Sequence, residues 1–362
     1  MENPLIDRRV DMLSKIKKRL RQNKRFYYLA NLFRYFGNKE FSEYVRGFGG
    51  EDTVLIQHPG ELYPEYIVYP ISNRGEAVGF FAELQCTLKY LYYADRFCFT
   101  PVVSWVKKSL YQEDVLWDGT RNVFEYYFQP VSNIKSEEIS NCKNVVFSFS
   151  RQVRAITDGD SGNGYLELDS LKLKFAQMYK KYCKLNTKTK LYIDENIREK
   201  LVGDRILGVH VRGTDFKQNF NGHPVPVNAT DFLPLARNMM EEYRCDRIFL
   251  ATDTIFAVKL FQQEFGDKLI FYNDIQRSDG DVGLHCLESD REHHHYKLGL
   301  EVLRDVYTLA SCEYLLAGMS NVSLAAQYIR IANGSEHKKV VILDNGINRN
   351  NNDDIKWAKK NL

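Results

Sequence analysis

The chain has 362 residues, 44% of them hydrophobic and 27% charged, and 50 Lys and Arg against 47 Asp and Glu. That balance excludes a disordered or collagen-like chain, and the length exceeds the roughly 250–300 residues at which single cores stop growing, so two lobes are expected. The net charge of +3 is unevenly placed: residues 1–50 hold 12 basic and 5 acidic side chains, and the mildly acidic remainder offers no basic stripe for nucleic acid.

Seven Cys (positions 86, 98, 142, 183, 245, 286 and 312) are scattered without a C-x-x-C spacing, which argues against a disulfide framework or a zinc site and for a reducing compartment. No window approaches 18 uninterrupted apolar residues, and the start lacks a signal-peptide pattern, so a cytoplasmic protein is expected. From Asp7 to Leu32, Val10, Leu13, Ile16 and Leu20 lie at helical spacing among Lys15, Lys17, Lys18, Arg19, Arg21, Lys24 and Arg25. Such a basic amphipathic helix either makes a peripheral contact with the inner face of a membrane or packs its apolar side on the body.

In the first globular section, strands are predicted at 53–56, 96–103 and 144–149, with helices over 75–93 and 166–185 and a loop around Pro70. The second section predicts strands at 205–211, 247–251, 268–272, 313–317 and 339–343, with helices near 230–243, 254–265, 294–311 and 320–332. Strand–helix alternation implies parallel sheets with helices on their faces. The expected division is a basic helical segment (1–45), a first Rossmann-like acceptor lobe (46–200), a second Rossmann-like nucleotide lobe (201–345) and a polar tail (346–362). No P-loop and no complete G-x-G-x-x-G is present, so a diphosphate would be held another way.

Four segments lie where strands or helices end: His210-Val211-Arg212-Gly213-Thr214-Asp215, Ala251-Thr252-Asp253-Thr254, Leu303-Arg304-Asp305 and Gly318-Met319-Ser320-Asn321-Val322-Ser323. In an open parallel sheet, ligands bind outside the carboxyl ends of the strands. There the fork of Arg212 matches two phosphate oxygens, and Ser320 is placed to cap a helix whose amides point at the same phosphates. Asn321 and Ser323 would add side-chain donors. His210 lies on the same strand face as Arg212, as a ribose or base contact or as a satisfied core residue. Asp305 is either an exposed, paired helical carboxylate or an acceptor for the N1–H and 2-amino group of guanine.

In order and spacing these motifs resemble the α-1,6-fucosyltransferases, including the rhizobial nodulation and animal core-fucosylating enzymes, with the protein O-fucosyltransferases as more distant relatives. The likeness covers about residues 205–332 and includes Gly283-Leu284-His285. It implies an α/β fold of GT-B type with two Rossmann-like lobes, a GDP-fucose donor in the second lobe, no metal or other cofactor, and inversion at the anomeric carbon. It assigns His210 to ribose and base, Arg212 to the β-phosphate, Asp305 to guanine, Ser320 and Asn321 to phosphate, and Asp253 to the nucleotide side. The chain departs from the family at Gly213, where a second Arg is usual, at Phe216 in place of a Lys, and in lacking the downstream Glu proposed as base. Asp215 and His223 are therefore the candidate bases.

The triplets Asp158-Gly159-Asp160 and Asp279-Gly280-Asp281 read as Gly-containing turns, and His293-His294-His295 as a polar helix start, since adjacent helical positions diverge by about 100°. The expected function is fucosyl transfer from GDP-fucose to a hydroxyl of a glycan or glycoconjugate. Its rivals are another GDP-sugar, such as a heptose or mannose derivative, and a non-catalytic glycan- or nucleotide-binding protein on the same scaffold.

Overall fold

The structure, a computed structural model, describes residues 56–75, 78–146, 168–203, 205–213, 223–278 and 290–348. Asp215, the basic segment 7–32, both Asp-Gly-Asp triplets and Gly283-Leu284-His285 lie outside the described residues. The chain divides into two compact units, Met1–His58 and Pro59–Leu362. The first contributes the short strand β1 (Ile56–Gln57) to the described residues.

The second unit contains two parallel sheets. In the first sheet, β2 (Val68–Ser72) lies between β4 (Val145–Val146) and β3 (Thr100–Ser104), and α1 (Phe80–Arg96) carries the chain from β2 to β3. Three expectations change here, the first being that the strand predicted from Arg96 begins at Thr100, since α1 runs to Arg96. The helix predicted from Gly75 begins at Phe80, because Gly79 is extended (φ −64°, ψ 148°) and Gly75 has φ +100°. The loop predicted around Pro70 is instead strand β2: β4 is two residues long and pairs in register at Val68, so no ladder donor is required of Pro70 on that side.

The helix predicted over 166–185 is α2 (Leu168–Tyr182), and a further helix, α3 (Thr187–Lys200), follows after Asn186, whose side chain accepts from Thr189 N at 2.9 Å. The chain then enters the second sheet through β5 (Ile206–Val211), α4 (Ala229–Glu242), β6 (Arg247–Thr252), α5 (Ile255–Phe265), β7 (Leu269–Ile270), α6 (His294–Ser311), β8 (Tyr314–Gly318), α7 (Asn321–Ala332) and β9 (Lys339–Leu343). Strand order is β7-β6-β5-β8-β9, all parallel. The chain starts in the middle, builds one edge and then crosses to the other, the doubly wound order whose switch point lies between β5 and β8.

Alternation along β5 separates two environments. Leu207, Val209 and Val211 enter a core with Phe232, Leu250 and Leu316. Gly208 and His210 face the other way, where a β-carbon at 208 would come within 3.1 Å of Leu309 and Cys312 near the end of α6. That close approach seats α6 against β5.

A seam joins the two sheets' surroundings. Tyr127 OH donates to Tyr296 O (2.8 Å), the two rings stack at 5.4 Å, and Gly299 leaves the room the Tyr127 ring needs. Tyr296 N donates to Glu113 Oε1 (2.7 Å), so a carboxylate from the first section caps α6. On the far side, Tyr179 of α2 meets Tyr307 of α6 at 2.6 Å, and Lys172 donates to Gln327 of α7 at 3.4 Å. Among the described residues no helix is long and apolar enough to cross a membrane.

Candidate active site

The carboxyl end of β5 carries His210 and Arg212 at the switch point. His210 is 5% exposed, its Nδ1 lies 3.4 Å from Ser320 Oγ, and burial, with Arg212 second, lowers its pKa to about 3. The imidazole is therefore neutral and adds a hydrogen-bonding edge without charge. Arg212 lies just past the strand, its side chain one-third exposed, with Nε 3.5 Å from Asp253 Oδ2.

Asp253 follows β6 and grips the same turn a second time: its Oδ1 accepts from Gly213 N at 2.9 Å. One carboxylate thus holds the backbone after Arg212 and braces the guanidinium. Thr254, the next residue, caps α5 by accepting from Ala257 N at 3.2 Å. Its methyl lies where a β-carbon on residue 213 would be, so the two would overlap. Gly213 is a packing requirement of this turn.

Across the switch point, Ser320 caps α7. Its Oγ accepts from Ser323 N at 3.1 Å, and Ser323 Oγ returns the bond to Ser320 N at the same distance. Both hydroxyls are buried and used within the cap, so Ser323 contributes shape here more than a spare donor. The positive end of the α7 dipole lies at this cap, which favours an anion there. Asn321 is the first residue of α7.

Asp305 lies on α6. Its Oδ1 is enclosed and, among the described residues, without a hydrogen-bond partner. Burial raises the carboxyl to about 7, opposed by the charges of Arg304 and Arg277. Arg304, 1% exposed, is committed elsewhere through its terminal nitrogens: its guanidinium pairs with both oxygens of Asp274 (2.6 and 2.9 Å), binds Tyr192 and Asn196, and stacks 3.8 Å over the Tyr272 ring. Arg277 spans the ends of β6 and β7, donating to Thr252 O (3.2 Å) and Tyr272 O (2.7 Å). Three of the four sequence segments meet by direct contact, at the ends of β5 and β6 and the start of α7, while Asp305 of α6 lies within electrostatic reach of Arg277.

His223 is exposed, its backbone tied to Asn348 N (2.8 Å) beyond β9. Among the described residues no group of three His, Cys, Asp or Glu is arranged to hold a metal ion. Sequence reasoning missed Arg277, a basic residue in a loop with no periodicity to mark it, and a cluster in the first sheet. There Arg74 follows β2, its N donating to Glu83 Oε2 (3.0 Å), its Nε 3.9 Å from the same oxygen and its side chain half exposed. Glu83 is buried, and desolvation raises its pKa. Two residues along α1, Gln85 Nε2 donates to Asn321 O at 3.1 Å. Since α1 starts at the carboxyl end of β2 and α7 at that of β8, this bond brings the carboxyl ends of the two sheets together.

No protein-family model matches the chain, and no curated protein does. Among solved structures it is similar to an α-1,6-fucosyltransferase, NodZ, soaked with GDP-fucose (18% identity, 73% of this chain and 92% of that one, TM-score 0.44). It is likewise similar to NodZ from Bradyrhizobium (18%, 72% and 92%, TM-score 0.43) and to POFUT1 in complex with GDP-fucose (11%, 81% and 99%, TM-score 0.45). These names fall in the families that the motif order resembles. With TM-scores below 0.5 they remain similarities, and the function has to be read from the crevice.

Proposed function

We propose that the chain is a glycosyltransferase that takes fucose from GDP-fucose and transfers it, with inversion and without a metal ion, to a hydroxyl of a glycan or glycoconjugate. The observation that carries this reading is the arrangement at the switch point: Arg212 at the end of β5 is braced by Asp253, and His210 of the same strand reaches Ser320 at the capped start of α7. Diphosphate departure places negative charge on the leaving oxygen, and a preorganised guanidinium and helix end stabilise that charge where it develops. Asp253 acts as a positioning residue for Arg212. Neutral His210 offers the ribose or base a contact without repelling Arg212.

The enclosed Oδ1 of Asp305 supports guanine as the base, because an ionised carboxylate accepts from N1–H and the 2-amino group together. The acceptor belongs to the first lobe (46–200) and the nucleotide to the second (201–345), and the basic segment 7–32 is a candidate peripheral membrane contact. A diphosphate leaves readily, so a weak base such as Asp215 or His223 suffices for the incoming hydroxyl. Gly213 does not favour a non-catalytic scaffold, since sterics account for the missing Arg.

GDP should raise the melting temperature more than UDP or ADP, with about 2.7 kcal/mol of stabilisation at a hundredfold excess over its dissociation constant. Arg212→Ala should lower transfer from GDP-fucose by about a hundredfold or more. Preference for UDP would remove the Asp305 assignment, and an Arg212→Ala variant with undiminished turnover would remove the central claim. Turnover of a GDP-heptose or GDP-mannose donor in preference to GDP-fucose would keep the site and change the sugar.

A further inference from the structure

We infer that Arg74, from the first sheet, supplies the second cation for the donor's terminal phosphate, a contact that position 213 cannot make. The inference rests on the GDP-sugar reading and deepens it.

Charge balance motivates it. A nucleotide diphosphate sugar brings two ionised phosphates into the crevice. Arg212 meets them already sharing its charge with Asp253, 3.5 Å away. The α7 terminus adds about half an elementary charge. Position 213 cannot carry another cation, because Thr254 fills the space a side chain would leave through. Arg277 and Arg304 are committed to backbone carbonyls and to Asp274.

Arg74 is available in the right place. Its backbone is fixed by the bond from its N to Glu83 Oε2, and the positive φ of Gly75 turns the chain immediately afterwards. Its guanidinium is half exposed, and the 3.9 Å separation of Nε from Glu83 is a loose ion pair that leaves the terminal nitrogens for another acceptor. The Gln85–Asn321 bond places the β2–α1 end beside the start of α7. With the base held at the α6 side of the second sheet, the terminal phosphate is the end of the nucleotide that points toward the first.

GDP and GMP distinguish this role from a structural one. Titration calorimetry on the full chain should show Arg74→Ala binding GDP about tenfold more weakly, with GMP changed by less than about twofold, and Arg74→Lys recovering part of the loss. Equal losses for GDP and GMP would mark Arg74 as scaffold, and unchanged GDP binding would mean that it touches no phosphate; either result overturns the inference and leaves the donor reading standing. Should Arg74→Ala fail to fold, the GDP-to-GMP ratio of Arg74→Lys decides in the same way. If the unaltered chain binds neither nucleotide, the donor reading falls and Arg74 with it.

Discussion

Gly213 and Thr254 meet so closely that a β-carbon on one would overlap the methyl of the other, while Asp253 between them in sequence holds the amide of the first. Gly213→Ala should therefore cost about 1–3 kcal/mol in thermal unfolding, as overpacking does. Thr254→Ser removes the methyl and keeps the oxygen that caps α5, so most of that cost should vanish in the double variant; strictly additive losses would show that the strain lies elsewhere. Asp305 makes a prediction of a different kind. Its carboxyl titrates near 7 in the folded chain, against an ordinary value of 3.8, because it is buried. Above that pH the carboxylate is charged and would accept the two guanine donors proposed for it; below it the proton occupies one oxygen. GDP affinity should fall about tenfold from pH 8 to pH 6 beyond any fall shown by Asp305→Asn, which shares the ligand's own phosphate titration. Parallel pH profiles would remove Asp305 from the base site. Ligand-free stability carries the opposite sign, declining as pH rises from about 4 to about 7, the interval in which only the unfolded chain has released this proton.

Elements of the second sheet were written plainly in the sequence. Helix α6 spans the expected 294–311 and β9 the expected 339–343, and β5, β6, β8, α4, α5 and α7 deviate by a residue at their ends. The apolar runs of β5 and β8 are continuous because these strands are covered on both faces, and the helices begin at capping residues such as Thr254 and Ser320. β7 is two residues against the predicted five: the ladder ends at Ile270, and Phe271 and Tyr272 pack by their rings against Arg277 and Phe249. In the first sheet, β2 was hidden by Pro70, whose tolerance depends on how short its neighbour β4 is, a fact of tertiary pairing. The site shows the same division. Arg212, His210 and Ser320 could be found because they sit at predictable strand and helix ends. Arg277 and Arg74 could not, because their importance comes from which carbonyls and carboxylates surround them after folding.

At the scale of the molecule, residues 59–362 behave as one compact unit even though two sheets are present. Stacked Tyr127 and Tyr296, the Glu113 cap, and α2 lying against α6 and α7 tie the surroundings of one sheet to the other. Scanning calorimetry should accordingly give a single transition for this region, with calorimetric and van't Hoff enthalpies in agreement. Two resolved peaks of comparable enthalpy would mean that the seam is too weak to couple the sheets.

The Glu113 cap has a consequence for how occupancy of one substrate is sensed by the other. Helix α6 bears the carboxylate proposed to read the base, and its first turn is held by a side chain from the section proposed to receive the acceptor. Any acceptor that shifts Glu113 changes the free energy of seating α6, and with it the affinity for the nucleotide. Linkage then requires the reverse: the factor by which acceptor alters the dissociation constant of GDP is the factor by which GDP alters that of the acceptor, so the two substrates would communicate through the Glu113–Tyr296 hydrogen bond.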